Sequence, residues 1–117
     1  MTKIIYDQRR ASRLLPLLGA IGREIQERTE ALDRLEKDIA RLSAIPYVDT
    51  QDQLSRELQG KLAEASAHRR GLRLAKQELD RLGCSVVGTE PLTIRIPGRV
   101  GEALHSFVWQ NGDPVLQ

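Results

Sequence analysis

Two tracts of heptad-spaced apolar residues fill most of this chain, separated by the helix-breaking segment Ala44-Ile45-Pro46-Tyr47-Val48-Asp49-Thr50. From Ala11 the first seam reads Ala11, Leu14, Leu18, Ile21, Ile25, Arg28, Leu32, Leu35, Ile39 and Leu42, in alternating steps of three and four. The second reads Leu54, Leu58, Lys61, Ala65, His68, Leu72, Ala75, Leu79 and Leu82. Such stripes cannot bury themselves, so the two helices must pack on each other as an antiparallel hairpin. The expected bounds are 7–43 for the first helix and 50–82 for the second, each about 50 Å long at the helical rise. Asp7 is suited to cap the first, Thr50 and Gln53 have capping-box spacing for the second, and Gly83 stands where a terminal glycine belongs. Pro16 removes a backbone donor early in the first helix and should bend it there.

The short connection favours pairing Ile39 with Leu54, Leu35 with Leu58, Ile21 with Leu72 and Leu14 with Leu79. That register places Leu32 opposite Lys61, Arg28 opposite Ala65 and Ile25 opposite His68, gathering the polar seam positions into three consecutive layers. One reading of this band is that Arg28 and Lys61 snorkel to Glu24 and Glu64 and fix the pairing. The other is a partner or anion site, because a guanidinium offers a rigid donor fork and an imidazole can change charge near neutrality.

Aromatic residues are 3% and charged residues 29% of the 117, a balance that suits long surface-rich helices rather than a large globular core. One domain spanning 1–117 is expected. Lys plus Arg number 18 against 16 Asp plus Glu, which argues against a protein whose main task is to coat nucleic acid or an anionic membrane. The single cysteine, Cys84, excludes an intrachain disulfide and fits a reducing cytoplasm. Neither an apolar leader nor a run long enough to span a bilayer is apparent, so a soluble cytoplasmic protein is expected.

Beyond Gly83 the apolar period becomes two: Cys84 to Val87, Leu92 to Pro97, and Leu104 to Gln110, with turns expected at Gly98 to Glu102 and Asn111-Gly112. A small antiparallel meander over 84–117 follows, with a short edge from Pro114 to Gln117. Leu92, Ile94 and Ile96 share one face, as do His105, Phe107 and Trp109, enough to cover the base of the hairpin. The fold class is thus α+β.

The segments Ile94-Arg95-Ile96-Pro97-Gly98-Arg99-Val100-Gly101-Glu102 and Ser106-Phe107-Val108-Trp109-Gln110-Asn111-Gly112-Asp113-Pro114 resemble the C-terminal signature of a prokaryotic family, domain of unknown function 2203. Ala11-Ser12-Arg13-Leu14-Leu15-Pro16-Leu17-Leu18 is similar to that family's opening helix, early proline included. The resemblance implies a helical hairpin followed by a strand-rich tail and carries no established activity. Many of its members continue into a tail with a Trp-His pair, a Gly-Phe and an Arg, which the sequence up to Gln117 lacks, so no activity that depends on them is expected here.

Chemistry finds little purchase in this sequence. Two histidines and one cysteine, widely separated, lack metal-ligand spacing, so no metal and no cofactor are expected. Adjacent strand residues such as His105 and Ser106 point to opposite faces and make a poor nucleophile-base pair. Gly98-Arg99-Val100-Gly101 lacks the Lys-Ser/Thr of a phosphate loop.

The leading expectation is a non-enzymatic interaction or assembly module, a homodimer whose hairpins pair into a four-helix bundle and bury Leu62 and Leu74. Nucleic-acid or anionic-ligand binding is the alternative, through Arg9, Arg10 and Arg13 near the base or Arg69, Arg70 and Arg73 on the second helix. An enzyme using Arg95 and His105 at the junction of sheet and hairpin comes third. The candidate partner or anion-binding residues are thus Arg28, Lys61, His68, Arg69, Arg70 and Arg73, and the sheet-face candidates are Arg95, His105 and Trp109.

Overall fold

The computed structural model describes residues 5–46 and 51–110. Over these the chain forms α1 (Gln8–Arg13), α2 (Leu15–Ser43), α3 (Gln51–Arg81) and then β1 (Ser85–Thr89), β2 (Leu92–Val100) and β3 (Ala103–Gln110). Helices α2 and α3 pack as the hairpin, and the strands form one antiparallel sheet in the order β1-β2-β3 against its base. The molecule measures 70 × 28 × 19 Å, with a radius of gyration of 19.4 Å. A compact domain of this length would have about 13 Å, so the hairpin is a projecting arm.

The heptad seams are legible in the burial. Every seam position named on both helices is buried or half-buried, while the positions between them are mostly exposed. Asp7 caps α1, its carboxylate accepting from the Arg10 amide at 2.7 Å. The first helix is not continuous over 7–43: it breaks at Leu14, which keeps right-handed backbone (φ −75°, ψ −17°) while α2 restarts with Pro16 in its first turn. Pro16 has no amide to give the carbonyl of Ser12, and a first-turn position is where that loss costs least. The α3 helix ends as expected on Gly83 at φ +78°, with Cys84 N donating to Leu79 O at 2.9 Å and Gly83 N to Asp80 O at 2.9 Å, the paired bonds of a Schellman motif. The expected cap at Thr50, the turn at Asn111-Gly112 and the edge at Pro114 to Gln117 lie outside the described residues.

The strands run longer than the sequence suggests. β1 extends to Thr89 and β2 continues through Pro97 and Gly98 to Val100, leaving only Gly101-Glu102 as the turn into β3. Gly101 at φ +60° takes the first central place that a tight II′ hairpin demands. Pro97 is tolerated because its polar edge faces away from β3. Its carbonyl accepts from Tyr6 N at 3.0 Å, and Arg99 N donates to Tyr6 O at 2.9 Å, so the N-terminal segment takes the ladder position beyond the end of β1. Gly98 makes room for the ring of Phe107, which occupies the space a Cβ would need.

One core joins sheet and base. Leu18, Ile21, Ile25, Ala75 and Leu79 from the helices meet Leu92, Ile94, Ile96, Phe107 and Trp109 from the sheet, with Tyr6, Ala11 and Cys84 completing it. Ile94 pairs with Trp109 and Ile96 with Phe107 across β2 and β3, and the Trp109 ring reaches the helix where Gly22 has no side chain. Further along the arm, the buried residues among those described are Leu35 (5% exposed), Ala65 (0%) and Gly71.

Candidate functional site

The polar seam positions do not form the three-layer band that the short connection suggests. Arg28 lies not against Ala65 but over Gly71, whose missing Cβ is what admits the guanidinium. Lys61 likewise meets Asp38 at 3.4 Å rather than facing Leu32. Both contacts are offset from the expected register by the same amount, just under one heptad. A heptad pattern is blind to a slip of one repeat, since each apolar layer is replaced by another. The seam spacing therefore predicts which side chains are buried but not which partner each one meets.

Arg28 and His68 do converge. The Arg28 Nη1 and His68 Nδ1 atoms are 3.4 Å apart, and Arg28 Nε donates to Glu24 Oε1 at 3.1 Å. With Glu27 and Ala31 they line an open groove of about 500 Å³ on one side of the arm. Lys61 belongs to a separate cluster closer to the hairpin tip, where Asp38 also accepts from Arg41 at 3.1 Å. Because Glu24 already neutralises Arg28 and Glu27 adds a second carboxylate, the groove is a poor anion receptor.

Of the α3 arginines, Arg69 reaches back to Glu36 of α2 at 3.4 Å, whereas Arg70 and Arg73 are exposed and take no ion pair among the described residues. At the base, Arg10 sits over the Tyr6 ring at 5.9 Å, inside cation-π range. The sheet-face candidates separate. Arg95 lies on the outer face and donates from Nε to Ser106 Oγ at 2.9 Å. His105 pairs with Gly98 and projects to the opposite face, edge-on to Phe107 with ring centroids 5.0 Å apart. Trp109 is a core residue, 2% exposed, and presents no surface to a ligand. Arg95 and His105 thus start from opposite faces of the sheet, yet both line one pocket of about 120 Å³ with Ile5, Pro97, Gly98, Leu104 and Ser106.

Two residues gained importance only in the structure. Tyr6 ties the sheet to the end of the hairpin: its backbone extends the sheet, and its hydroxyl donates to the Leu82 carbonyl at 2.7 Å. Burial raises its phenol above the usual value, with Cys84 adding to the rise and Arg10 opposing it. Burial also pushes the Cys84 thiol up to about 11, which marks it as packing rather than a nucleophile. Gly71 carries a sequence signal of its own, since a glycine inside a long helix costs about 1 kcal/mol and calls for a local reason.

Among the described residues, no group of His, Cys, Asp or Glu is placed to hold a metal ion, and no helix is long and apolar enough to cross a membrane. Comparison with known proteins gives one finding: a family model described as an uncharacterized conserved protein, DUF2203, matches residues 4–117. No curated protein and no solved structure matches.

Proposed function

The chain belongs to the family of domain of unknown function 2203, and on that premise and the geometry above we propose that it is a non-enzymatic assembly module, a homodimer built by pairing its hairpin arms. The observation that carries this is the contrast along the arm. The hairpin projects far beyond a core confined to its base, with Leu35 and Ala65 the only buried apolar side chains further out among the described residues and Leu62 and Leu74 left 38% and 60% exposed on α3. Two long helices sharing so narrow a seam gain stability by packing on another pair. A module of this kind works in the cytoplasm, where a lone buried thiol such as Cys84 stays reduced. Sedimentation equilibrium over the micromolar range tests the proposal. A mass of two chains is expected, and a single chain at every concentration would contradict it.

Arg70 and Arg73, exposed and in no ion pair among the described residues, favour a second reading, binding of a polyanion along α3. Salt-sensitive retention on a polyanion resin, abolished by Arg70→Glu with Arg73→Glu, is the outcome that reading requires.

A further inference from the structure

The arm has two unlike sides. On one, Gly22, Thr29 and Glu36 follow each other at heptad spacing: Gly22 lies under the Trp109 ring, Thr29 lines a pocket with the β1–β2 turn, and Glu36 takes Arg69. The sheet therefore occupies this side at the base. On the other side Glu24, Ala31 and Asp38 follow at the same spacing, Glu24 reaching Arg28 over Gly71 and Asp38 reaching Lys61. Arg34 and Arg41 lie one and two heptads beyond Glu27, which lines the groove beside Arg28, while Glu64 and Glu57 lie one and two heptads before Gly71. These two cations and two anions thus share the side away from the sheet, and all four are exposed. Arg34, Glu57 and Glu64 join no ion pair among the described residues, and Arg41 pairs with Asp38 of its own helix. Ala67 and the 60% exposed Leu74 lie on the same stripe of α3 as Gly71 and make the surface partly apolar.

The contacts of Arg28 with Gly71 and of Asp38 with Lys61 fix the levels of the two helices. By those levels, to within one residue, Arg34 stands level with Glu64, Arg41 with Glu57, Ala31 with Ala67 and Glu24 with Leu74. We infer that a second copy of the chain covers this open side, related by a two-fold axis along the arm, so that Arg34 and Arg41 of each α2 meet Glu64 and Glu57 of the partner's α3. Such an axis stacks each α2 on the partner's α3 and leaves every level where it is, so the charges match with no sliding of one copy past the other. Both opposite-charge levels are made twice. Between them and the base, Ala31 meets the partner's Ala67, where two small side chains let the helices come close, and the partner's Leu74 lies beside Glu24, which Arg28 already neutralises. Both sheets lie at one end, on the outer sides of the dimer. Leu62, a heptad before Arg69, falls on the side of the sheet and stays outside this contact. The inference rests on the homodimer proposed above and adds which side is buried and in what orientation.

Charge reversal tests it. Arg34→Glu with Arg41→Glu sets carboxylate against carboxylate at each of these contacts, and Glu57→Arg with Glu64→Arg sets guanidinium against guanidinium. All four residues are exposed, so circular dichroism should show unchanged helix content. Each double variant alone is expected to dimerise at least about tenfold more weakly at low salt, an effect that shrinks at high salt. An equal mixture of the two is expected to form a dimer containing one chain of each, because one chain then presents an all-acidic set and the other an all-basic one. Arg73→Glu with Lys76→Glu makes the same change in net charge on the side of Arg69 and should leave association as it was. Variants of the open side that dimerise like the unchanged chain would overturn this pairing while leaving the homodimer standing. Weakened variants that fail to combine, or an equal weakening from the Arg73 and Lys76 reversal, would also overturn it. A monomeric unchanged chain would overturn the homodimer and the pairing together.

Discussion

The base of this molecule and its arm are built from the same helices, yet they are held by different physics. At the base, three helices, three strands and the Tyr6 segment surround one closed core in which Leu18, Leu79, Ile94 and Ile96 are essentially inaccessible. Along the arm α2 and α3 alone share a single seam, interrupted by Arg28, Lys61 and His68 and bordered by ion pairs between partly or largely exposed side chains. Exposed pairs of that kind contribute about 0 to 1 kcal/mol each. The base should therefore carry the stability of the fold, and the arm should carry its capacity to choose a partner.

The largest effect that would sharpen this contrast is expected at Trp109. Trp109→Ala removes the ring that joins β3 to Gly22 of α2 and should cost about 3 to 5 kcal/mol, read as a lower midpoint in urea unfolding. A loss below 1 kcal/mol would mean that the base is not the stabilising unit. Next comes Tyr6→Phe, which leaves the Leu82 carbonyl with only the weak Cys84 thiol donor at 3.8 Å and should cost about 1 to 3 kcal/mol by the same measurement. In the arm, Arg28→Leu should change monomer stability by less than about 1 kcal/mol, because it removes one partly exposed ion pair and puts an apolar group at a seam position. A collapse of the fold on that substitution would place the stabilising unit in the arm.

Alkaline pH offers the mildest probe. The folded state holds the Cys84 thiol up at about 11 against an ordinary 9.0, and the Tyr6 phenol is shifted in the same direction by burial. Between those values the unfolded chain loses its protons first, so stability should be level below pH 9 and fall as pH rises toward about 11. Cys84→Ala should flatten part of that decline. An identical decline in the variant would remove Cys84 from the account.

How far the sequence reveals this contrast depends on how each residue finds its partner. Seam membership was legible throughout, because burial on a helix follows a local period. The caps at Asp7 and Gly83 were equally local and equally legible. Register was not, since Arg28 over Gly71 and Lys61 with Asp38 depend on where a side chain fits rather than on apolar period. The continuation of β2 through Pro97 was hidden for a related reason: it depends on Tyr6, far away in sequence, occupying the edge where the proline cannot donate. The heptad pattern brings Arg28 and His68 together, as the structure does, but sets beside them Lys61, which meets Asp38 instead; strand alternation puts Trp109 on the correct face without showing its depth of burial.

The most direct test of the division between base and arm is amide hydrogen exchange followed as a function of protein concentration. Amides of the base, in Ile94 to Ile96 and Phe107 to Trp109, should exchange slowly at every concentration. Those of the arm, from Leu32 to Leu42 and from Leu54 to Ala65, should exchange fast when dilute and become protected as the chains associate. Protection of the arm that equals that of the base in dilute solution, and does not change with concentration, would contradict the claim that the arm depends on a partner.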